Sequence, residues 1–586
     1  MKKTKQYLNT LNVDNNFGRM PNAAIKYQPY QGVSLPDRQW PSKAITKPPI
    51  WCSVDLRDGN QALIDPMGQE RKERMFRLLL DMGFQEIEIG FPSASQTDFD
   101  FARWCIEQGN VPSNVSLQVL VQCRKELIER TFESLQGAHK PIVHFYNSTS
   151  ELQRRVVFQR DVKGIKQIAT DAAKLITDMA AKAAKSTGHA GYRFQYSPES
   201  FTGTEMEVAL EICNAVTEII QPTPNNKLIL NLPATVEMST PNLHADQIEW
   251  MSRNLDRRDS IILSLHPHND RGTGIAATEM GLLAGADRVE GTLLGNGERT
   301  GNVDIVTLAL NMFTQGVDPM LDCSDLPRIK AVFEHCNQLM VPERHPYVGE
   351  LVYTAFSGSH QDAINKGMKA RAIANTPLWE VPYLPIDPED VGRTYEAIIR
   401  INSQSGKGGI AYILQADYGI NLPRNMQVAF SKEVQKVADA DGKEMVSKRI
   451  HELFLQTYVE QTGARLKFID HHTSPDVSRP GSRVMEATIL DHGNEIVIKG
   501  RGTGPVDGFI DALSSHIGVS FSVSDYSEHS LQYGSNAAAI CYMELDHGNG
   551  GPSPKAYGVG INTNIVSASL EAIVSAVNRL LEGKVS

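Results

Sequence analysis

Between residues 50 and 294, short apolar runs alternate with longer segments whose apolar residues recur every three to four positions. Runs of four to eight apolar residues bounded by turn formers predict buried strands, and the longer 3.6-period stripes predict amphipathic helices. Eight strands are predicted, over Ile50–Asp55, Glu86–Phe91, Val115–Val121, Pro141–Tyr146, Tyr192–Tyr196, Leu228–Leu232, Ser260–Leu265 and Arg288–Leu294. The helices between them carry start and stop signals. Gln69 to Met82 ends at Gly83, Thr204-Glu-Met-Glu207 reads as a capping box, and Thr240-Pro241 reads as an N-cap followed by proline at the first helical position. Eight strands alternating with helices over roughly 250 residues match a (β/α)8 TIM barrel of the α/β class. That barrel is placed at residues 49–325. A doubly wound open sheet is the alternative, but no G-x-G-x-x-G follows the first strand.

The pattern changes on either side. Residues 1–48 are polar and proline-dotted, an arm that wraps the core or joins a partner. Beyond Gln315 the alternation stops, and 326–470 reads as helical linker subdomains with a long charged helix over Lys432–Thr457. His471–Ser482 is a run of turn formers and marks a domain boundary. Within 471–586, Leu490-Asp-His-Gly-Asn494 recurs as Leu545-Asp-His-Gly-Asn549, each time as a polar turn after an apolar strand and followed by a second strand, a glycine turn (Gly500–Gly504; Gly558–Gly560) and a helical stretch. Two copies of strands-then-helix predict a small α+β domain with pseudo-twofold symmetry, a binding or assembly module.

Composition narrows the class without naming a chemistry. The chain has 586 residues, 41% hydrophobic and 22% charged, with a net charge of −10. Two or three domains are expected at this length. An acidic balance without basic blocks argues against nucleic acid as a partner. No apolar run is long enough to span a bilayer, and MKKTKQYLNTLN lacks the apolar core of a secretory signal. The seven scattered cysteines never form C-x-x-C, which fits reduced thiols in a cytoplasm.

In a barrel of this kind chemistry sits on the loops after the strands, and those loops gather polar groups. Leu56-Arg57-Asp58-Gly59-Asn60-Gln61 follows the first strand. His144 and Tyr146 end the fourth, Ser197 and Glu199 follow the fifth, Pro233 and Thr235 the sixth, His266-Pro267-His268 the seventh, and GNGERTGN, 295–302, the eighth. Side chains two apart on a strand face the same way, so His266 and His268 point together. With Asp58 they offer two imidazoles and a carboxylate to a divalent ion, Mg2+, Mn2+ or Zn2+, which could polarise a chelating 2-oxo acid. Arg57 is placed either to stabilise an oxyanion or to form a structural ion pair. Glu199 is either a proton-transfer group or an ordinary loop carboxylate. GNGERTGN is neither a Walker loop nor a dinucleotide fingerprint.

LRDGNQ, YSPESFTGTE, HPHNDRGTGIAA and GNGERTGN, together with FSGSHQDAI, PYLPIDPEDVGR, NSQSGKGG and the terminal repeat, resemble the long-form 2-isopropylmalate synthases. These belong to the metal-dependent Claisen-condensing barrel family. The resemblance runs from about Pro48 to the C-terminus. It implies an acyltransferase of leucine biosynthesis that condenses acetyl-CoA with 3-methyl-2-oxobutanoate (2-ketoisovalerate). It implies Asp58, His266 and His268 as metal ligands, with Asn302 completing or flanking the site, and Mg2+ as the first choice of ion. Arg57 would hold the ketone oxygen. His144, Tyr146, Ser197, Pro233 and Thr235 would line the keto-acid pocket, with Thr235 as the carboxylate contact. Glu199 with His360 would move the proton, and His360 and Tyr395 would arrive from the other subunit of a homodimer. The terminal domain would bind leucine as a feedback inhibitor near Gly502, Gly504 and Val506.

Rival readings remain at this level. The same chemistry on 2-oxoglutarate or pyruvate gives a homocitrate or citramalate synthase, although no cation for a distal carboxylate stands out among the pocket residues. A related acyl-CoA lyase, or an amino-acid sensor on an inactive barrel, is also open.

Overall fold

The structure, a computed structural model, describes residues 27, 29–109, 111–187, 191–355, 357–374, 376–394, 407–441, 447–460, 462–531, 537–547 and 554–583. The described chain divides into two compact units. One runs through Val352 and includes Pro388–Arg393; the other comprises Tyr353–Asp387 and the residues from Thr394 onward.

In the first unit eight parallel strands close into a barrel in chain order: β1 Ile50–Ser53, β2 Glu86–Glu88, β3 Ser116–Gln122, β4 Ile142–Ser148, β5 Arg193–Glu199, β6 Leu228–Ala234, β7 Ile261–Pro267 and β8 Arg288–Gly291. Closure is made by β1, whose Cys52 stands opposite Glu86 on one side and Glu290 on the other. All eight predicted strands are present. β4 to β7 run two or three residues past their predicted ends, so Asn147, Glu199, Ala234 and Pro267 stand on the barrel wall rather than in loops.

The first amphipathic helix, α1 Gln69–Asp81, is followed by Gly83 at φ +92°, as read from the sequence. The helix Pro241–Asn254 likewise starts from Thr240 with proline at its first turn. The capping box at Thr204 is not formed. Its helix, Met206–Ile220, begins from Glu205 without a side-chain cap. The Thr204 hydroxyl instead donates to the Ser200 carbonyl at 2.9 Å and lies 2.8 Å from Thr149 Oγ1. The hydroxyl closes the turn four residues before it instead of capping the helix after it. Leu326–Asn337 packs back on α1, where Arg71 Nη1 donates to the Cys336 carbonyl at 3.2 Å, so this unit extends past residue 325.

The barrel interior is charged. Glu86, Glu88, Gln118, Gln195, Ser264, Arg288 and Glu290 are all buried. Buried charge survives only when paired. Arg288 donates to Glu86 and Glu290 at 2.6 and 2.7 Å, to Ser264 Oγ at 2.9 Å and to Gln118 Oε1 at 3.0 Å.

The second unit contains helices over Gly358–Ala374, Lys407–Tyr418, Arg424–Asp441 and Ser447–Tyr458, then two copies of a three-stranded antiparallel sheet with one helix. The single helix predicted over Lys432–Thr457 is a helical pair. One straight helix would hold Phe430 and Phe454 roughly 36 Å apart, but their ring centroids lie 5.5 Å apart. In the first copy β9 Leu466–Pro475, β10 Arg483–Asp491 and β11 Asn494–Gly502 precede Pro505–Ile517. In the second, β12 Phe521–Ser530, β13 Ala539–His547 and β14 Lys555–Asn562 precede Ile565–Leu581. The boundary expected at 471 falls inside β9, and the turn is confined to 476–482.

Most of the glycines expected in turns lie in strands instead. Gly500, Gly502, Gly558 and Gly560 lie in strands β11 and β14. A Cβ on Gly558 would stand 2.2 Å from the Ala572 carbonyl oxygen, and one on Gly500 2.2 Å from that of Gly508. These glycines let a helix backbone approach its sheet closely.

Candidate active site

Past β1 the chain makes one wide helical turn, Asp55–Gly59, which carries Arg57 and Asp58. β7 delivers His266, and His268 follows it just beyond Pro267, with ring centroids 5.6 Å apart. The glycine-rich loop after β8 doubles back so that Asn302 bridges to His268. The doubling requires glycine. A Cβ on Gly297 would stand 1.9 Å from Asn302 Oδ1, and one on Gly301 1.7 Å from the Gly295 carbonyl oxygen.

Three ligand-type atoms converge there. Asp58 Oδ2 lies 3.0 Å from His266 Nε2 and 3.7 Å from His268 Nε2, and the three residues form a buried candidate metal-binding group. Asn302 Nδ2 is 2.7 Å from Asp58 Oδ2 and 3.0 Å from His266 Nε2. His268 Nδ1 and Asn302 Oδ1 are buried without a hydrogen-bond partner. One carboxylate and two imidazoles fit a hard or borderline divalent ion.

A second tier holds these groups. His266 Nδ1 is 2.7 Å from Glu290 Oε2, which orients the ring and leaves Nε2 facing Asp58. Arg57 Nη1 and Gln61 Nε2 donate to Asp58 Oδ1 at 2.8 and 3.0 Å, and Arg57 Nε donates to Glu88. Burial alone would raise the Asp58 carboxyl, but Arg57 and His266 hold it well below the usual carboxylate range. Burial would likewise lower His266, yet Asp58 and Glu290 raise it to about 9. His268 goes the other way, pressed down to about 4 by burial and by His266.

Beside this group opens a cavity of about 290 Å3. Arg57, His144, Tyr146, Ser197, Glu199, Pro233 and Thr235 all line it, with Asp58, His266 and His268 at one side. Its polar floor is hydrogen-bonded within itself except at Asn231 Oδ1, which is buried without a partner. His144 Nδ1 lies 2.7 Å from Glu88 Oε2 and its Nε2 2.7 Å from Ser197 Oγ, while Asn231 Nδ2 donates to Ser197 Oγ at 3.0 Å. Phe91, Leu120, Tyr146 and Pro233 supply apolar surface. Glu199 accepts from the Ser148 hydroxyl, and Thr235 Oγ1 accepts from the Ser200 amide at 2.9 Å.

Relatives of known name share nearly the whole chain. A 2-isopropylmalate synthase of Mesorhizobium japonicum is 75% identical over 96% of this chain and 100% of its own length. The chain belongs to the 2-isopropylmalate synthase family. The family's member in Rhizobium meliloti is also 75% identical, over 96% of this chain and 99% of its own, and one in Corynebacterium glutamicum is 55% identical over 95% and 92%. Residues 48–333 match the HMGL-like family, 350–415 the alpha-isopropylmalate synthase post-catalytic domain-like family, and 444–581 the LeuA allosteric (dimerisation) domain. Membership makes the chain a transferase of leucine biosynthesis. Among the described residues no helix is long and apolar enough to cross a membrane.

Not every expected residue joins the cavity. His360 lies in the second unit, exposed, with its ring stacked 4.0 Å from that of Tyr383. Tyr395 lies outside the described residues, as do 1–26 of the arm and 402–406 of NSQSGKGG. Of the three residues expected to bind an effector, Gly502 ends β11 against Asp507, Gly504 precedes the helix Pro505–Ile517, and Val506 packs on the domain core.

Sequence reading missed Glu88, Asn231 and Glu290. Their signal is a period of two. Glu86 alternates with Glu88 and Arg288 with Glu290 within short strands, which points charge into the barrel.

Proposed function

We propose that this chain condenses acetyl-CoA with 3-methyl-2-oxobutanoate and hydrolyses the thioester, releasing 2-isopropylmalate and CoA. The observation that carries this reading is the convergence of Asp58, His266 and His268 beside a cavity lined by His144, Ser197 and Thr235. Those three residues, with Asn302 completing or flanking the site, would hold a divalent ion, Mg2+ in our reading. The bound ion supplies Lewis acidity to the ketone of a chelating 2-oxo acid.

The side chains do the rest. Arg57, kept cationic by Asp58 and Glu88 against the pull of burial, holds negative charge as it develops on the ketone oxygen. Thr235 holds the substrate carboxylate, and His144, Tyr146, Ser197 and Pro233 enclose the alkyl group. Glu199, with His360 and Tyr395 brought by a second copy of the chain, takes the acetyl methyl proton or activates the hydrolytic water. A branched alkyl group suits this cavity better than a second carboxylate. The two cations that line it are both engaged, Arg57 with Asp58 and Glu88, and Arg299 with Asp270 at 2.6 Å. Leucine is proposed to inhibit from the terminal domain, near Gly502, Gly504 and Val506, and the enzyme to work as a homodimer.

The test is CoA release read by a thiol reagent, from acetyl-CoA with 3-methyl-2-oxobutanoate, pyruvate or 2-oxoglutarate, with Mg2+, Mn2+, Zn2+ or chelator, and with or without leucine. Metal-dependent release with the first acid, suppressed by leucine, is expected. Preference for pyruvate or 2-oxoglutarate would overturn the substrate, and release in chelator the metal.

A further inference from the structure

The turn after β5 holds a backbone outlier at the cavity's edge. Ser200 stands at φ +60°, ψ +40°, a left-handed conformation that costs an L-residue with a Cβ and persists where surrounding structure imposes it. The imposition is visible on both sides. The Glu199 carbonyl accepts from the Thr149 amide at 3.0 Å and the Thr149 hydroxyl at 3.2 Å. The Ser200 carbonyl accepts from the Gly203 amide at 2.9 Å and the Thr204 hydroxyl at 2.9 Å.

This conformation aims the Ser200 N–H at Thr235 Oγ1, 2.9 Å away. Thr235 is also held through its carbonyl, which accepts from Arg299. A hydroxyl has one proton and two lone pairs. The Ser200 amide can only donate, so it takes a lone pair and the Thr235 proton must point elsewhere. Thr235 lines the cavity, and a carboxylate there offers only acceptors.

We propose that Ser200 is a positioning residue. Its left-handed backbone occupies a lone pair of Thr235 and so directs that hydroxyl's proton to the cavity, as a donor for the carboxylate of a 2-oxo acid. The inference rests on the reading of Thr235 as the carboxylate contact and assigns what sets its polarity. It also gives Thr204 a use that a helix cap would not, as one of the clamps on the turn.

Steady-state kinetics of the full-length enzyme with Mg2+ test it, with KM for 3-methyl-2-oxobutanoate and for acetyl-CoA measured separately. Ser200→Val disfavours the left-handed turn and should raise KM for the 2-oxo acid about tenfold, leaving KM for acetyl-CoA and kcat within about twofold. Ser200→Gly, which adopts positive φ freely, should recover most of that loss. In a Thr235→Val background, Ser200→Val should add little, because the two act through one hydroxyl. Should the valine variant fail to fold, Ser200→Ala is expected to change KM in the same direction by less. An unchanged KM in Ser200→Val, beside a raised one in Thr235→Val, would overturn the positioning role alone. Equal losses in Ser200→Gly and Ser200→Val would overturn the backbone argument. An unchanged KM in Thr235→Val would remove the carboxylate reading itself, and the proposal with it.

Discussion

His266 and Glu290 face each other across 2.7 Å, from Nδ1 to Oε2, and Glu290 is fixed in turn by Arg288. The pair sets which imidazole nitrogen is left for the cavity side. Glu290→Gln should therefore weaken divalent-ion binding about 10- to 100-fold. Calorimetric titration of the purified protein with Mn2+ checks this, beside a melting curve that separates lost affinity from lost fold. Wild-type affinity in a folded variant would show that the ring needs no such partner.

His268 approaches the same Asp58 oxygen as His266, at 3.7 Å, and its removal takes one of three converging ligand atoms. His268→Ala should reduce kcat/KM on the order of 10³-fold while the far-ultraviolet dichroism is unchanged. Normal turnover at low metal concentration would rule out the ligand assignment.

The strand glycines of the terminal domain make a stability prediction. Gly558→Ala would put a methyl group 2.2 Å from the Ala572 carbonyl oxygen and from the Ala576 amide nitrogen. Backbone on both sides must shift, and a cost of about 1–3 kcal/mol or more is expected. Denaturant unfolding followed by near-ultraviolet dichroism measures it. A variant as stable as the parent would mean that the helix Ile565–Leu581 can withdraw freely.

Acid should weaken the barrel unit through His244. This histidine is buried on the helix Pro241–Asn254, and burial lowers its pKa from 6.5 to about 4. The folded state keeps it neutral, whereas the unfolded chain protonates it below about 6.5. Its contribution is thus fully present above that pH and is lost as pH falls toward 4, by about 3 kcal/mol in all. Urea midpoints of the parent and His244→Phe, compared from pH 7 to 4, should converge or cross as the parent loses this increment. Parallel profiles would contradict it.

The barrel was legible because parallel strands covered on both sides read as apolar runs, and eight of these stood in regular alternation with helical stripes. Asp58, His266 and His268 were legible because they sit where strands end. What stayed hidden follows from the same reasoning. Glu88 and Glu290 lie inside strands, where a charge in a short run reads as a break in the pattern instead of an inward-facing group. β9 and β12 are largely exposed, so they carry no apolar run, and the repeat was seen as two strands per copy instead of three. A glycine that permits a turn and one that permits close packing are the same letter. Gly558 and Gly500 were read as the first and are the second. The Lys432–Thr457 stripe is continuous in character, and the fold-back becomes evident from Phe430 meeting Phe454.

The doubled architecture of the terminal domain has a thermodynamic consequence. Met485, Phe509 and Leu513 of one copy share a single buried cluster with Leu545, Leu570 and Ile573 of the other. The two copies divide that core between them, so their unfolding is expected to be coupled in one cooperative step. A ligand that stiffened one copy would, through that core, stiffen its twin.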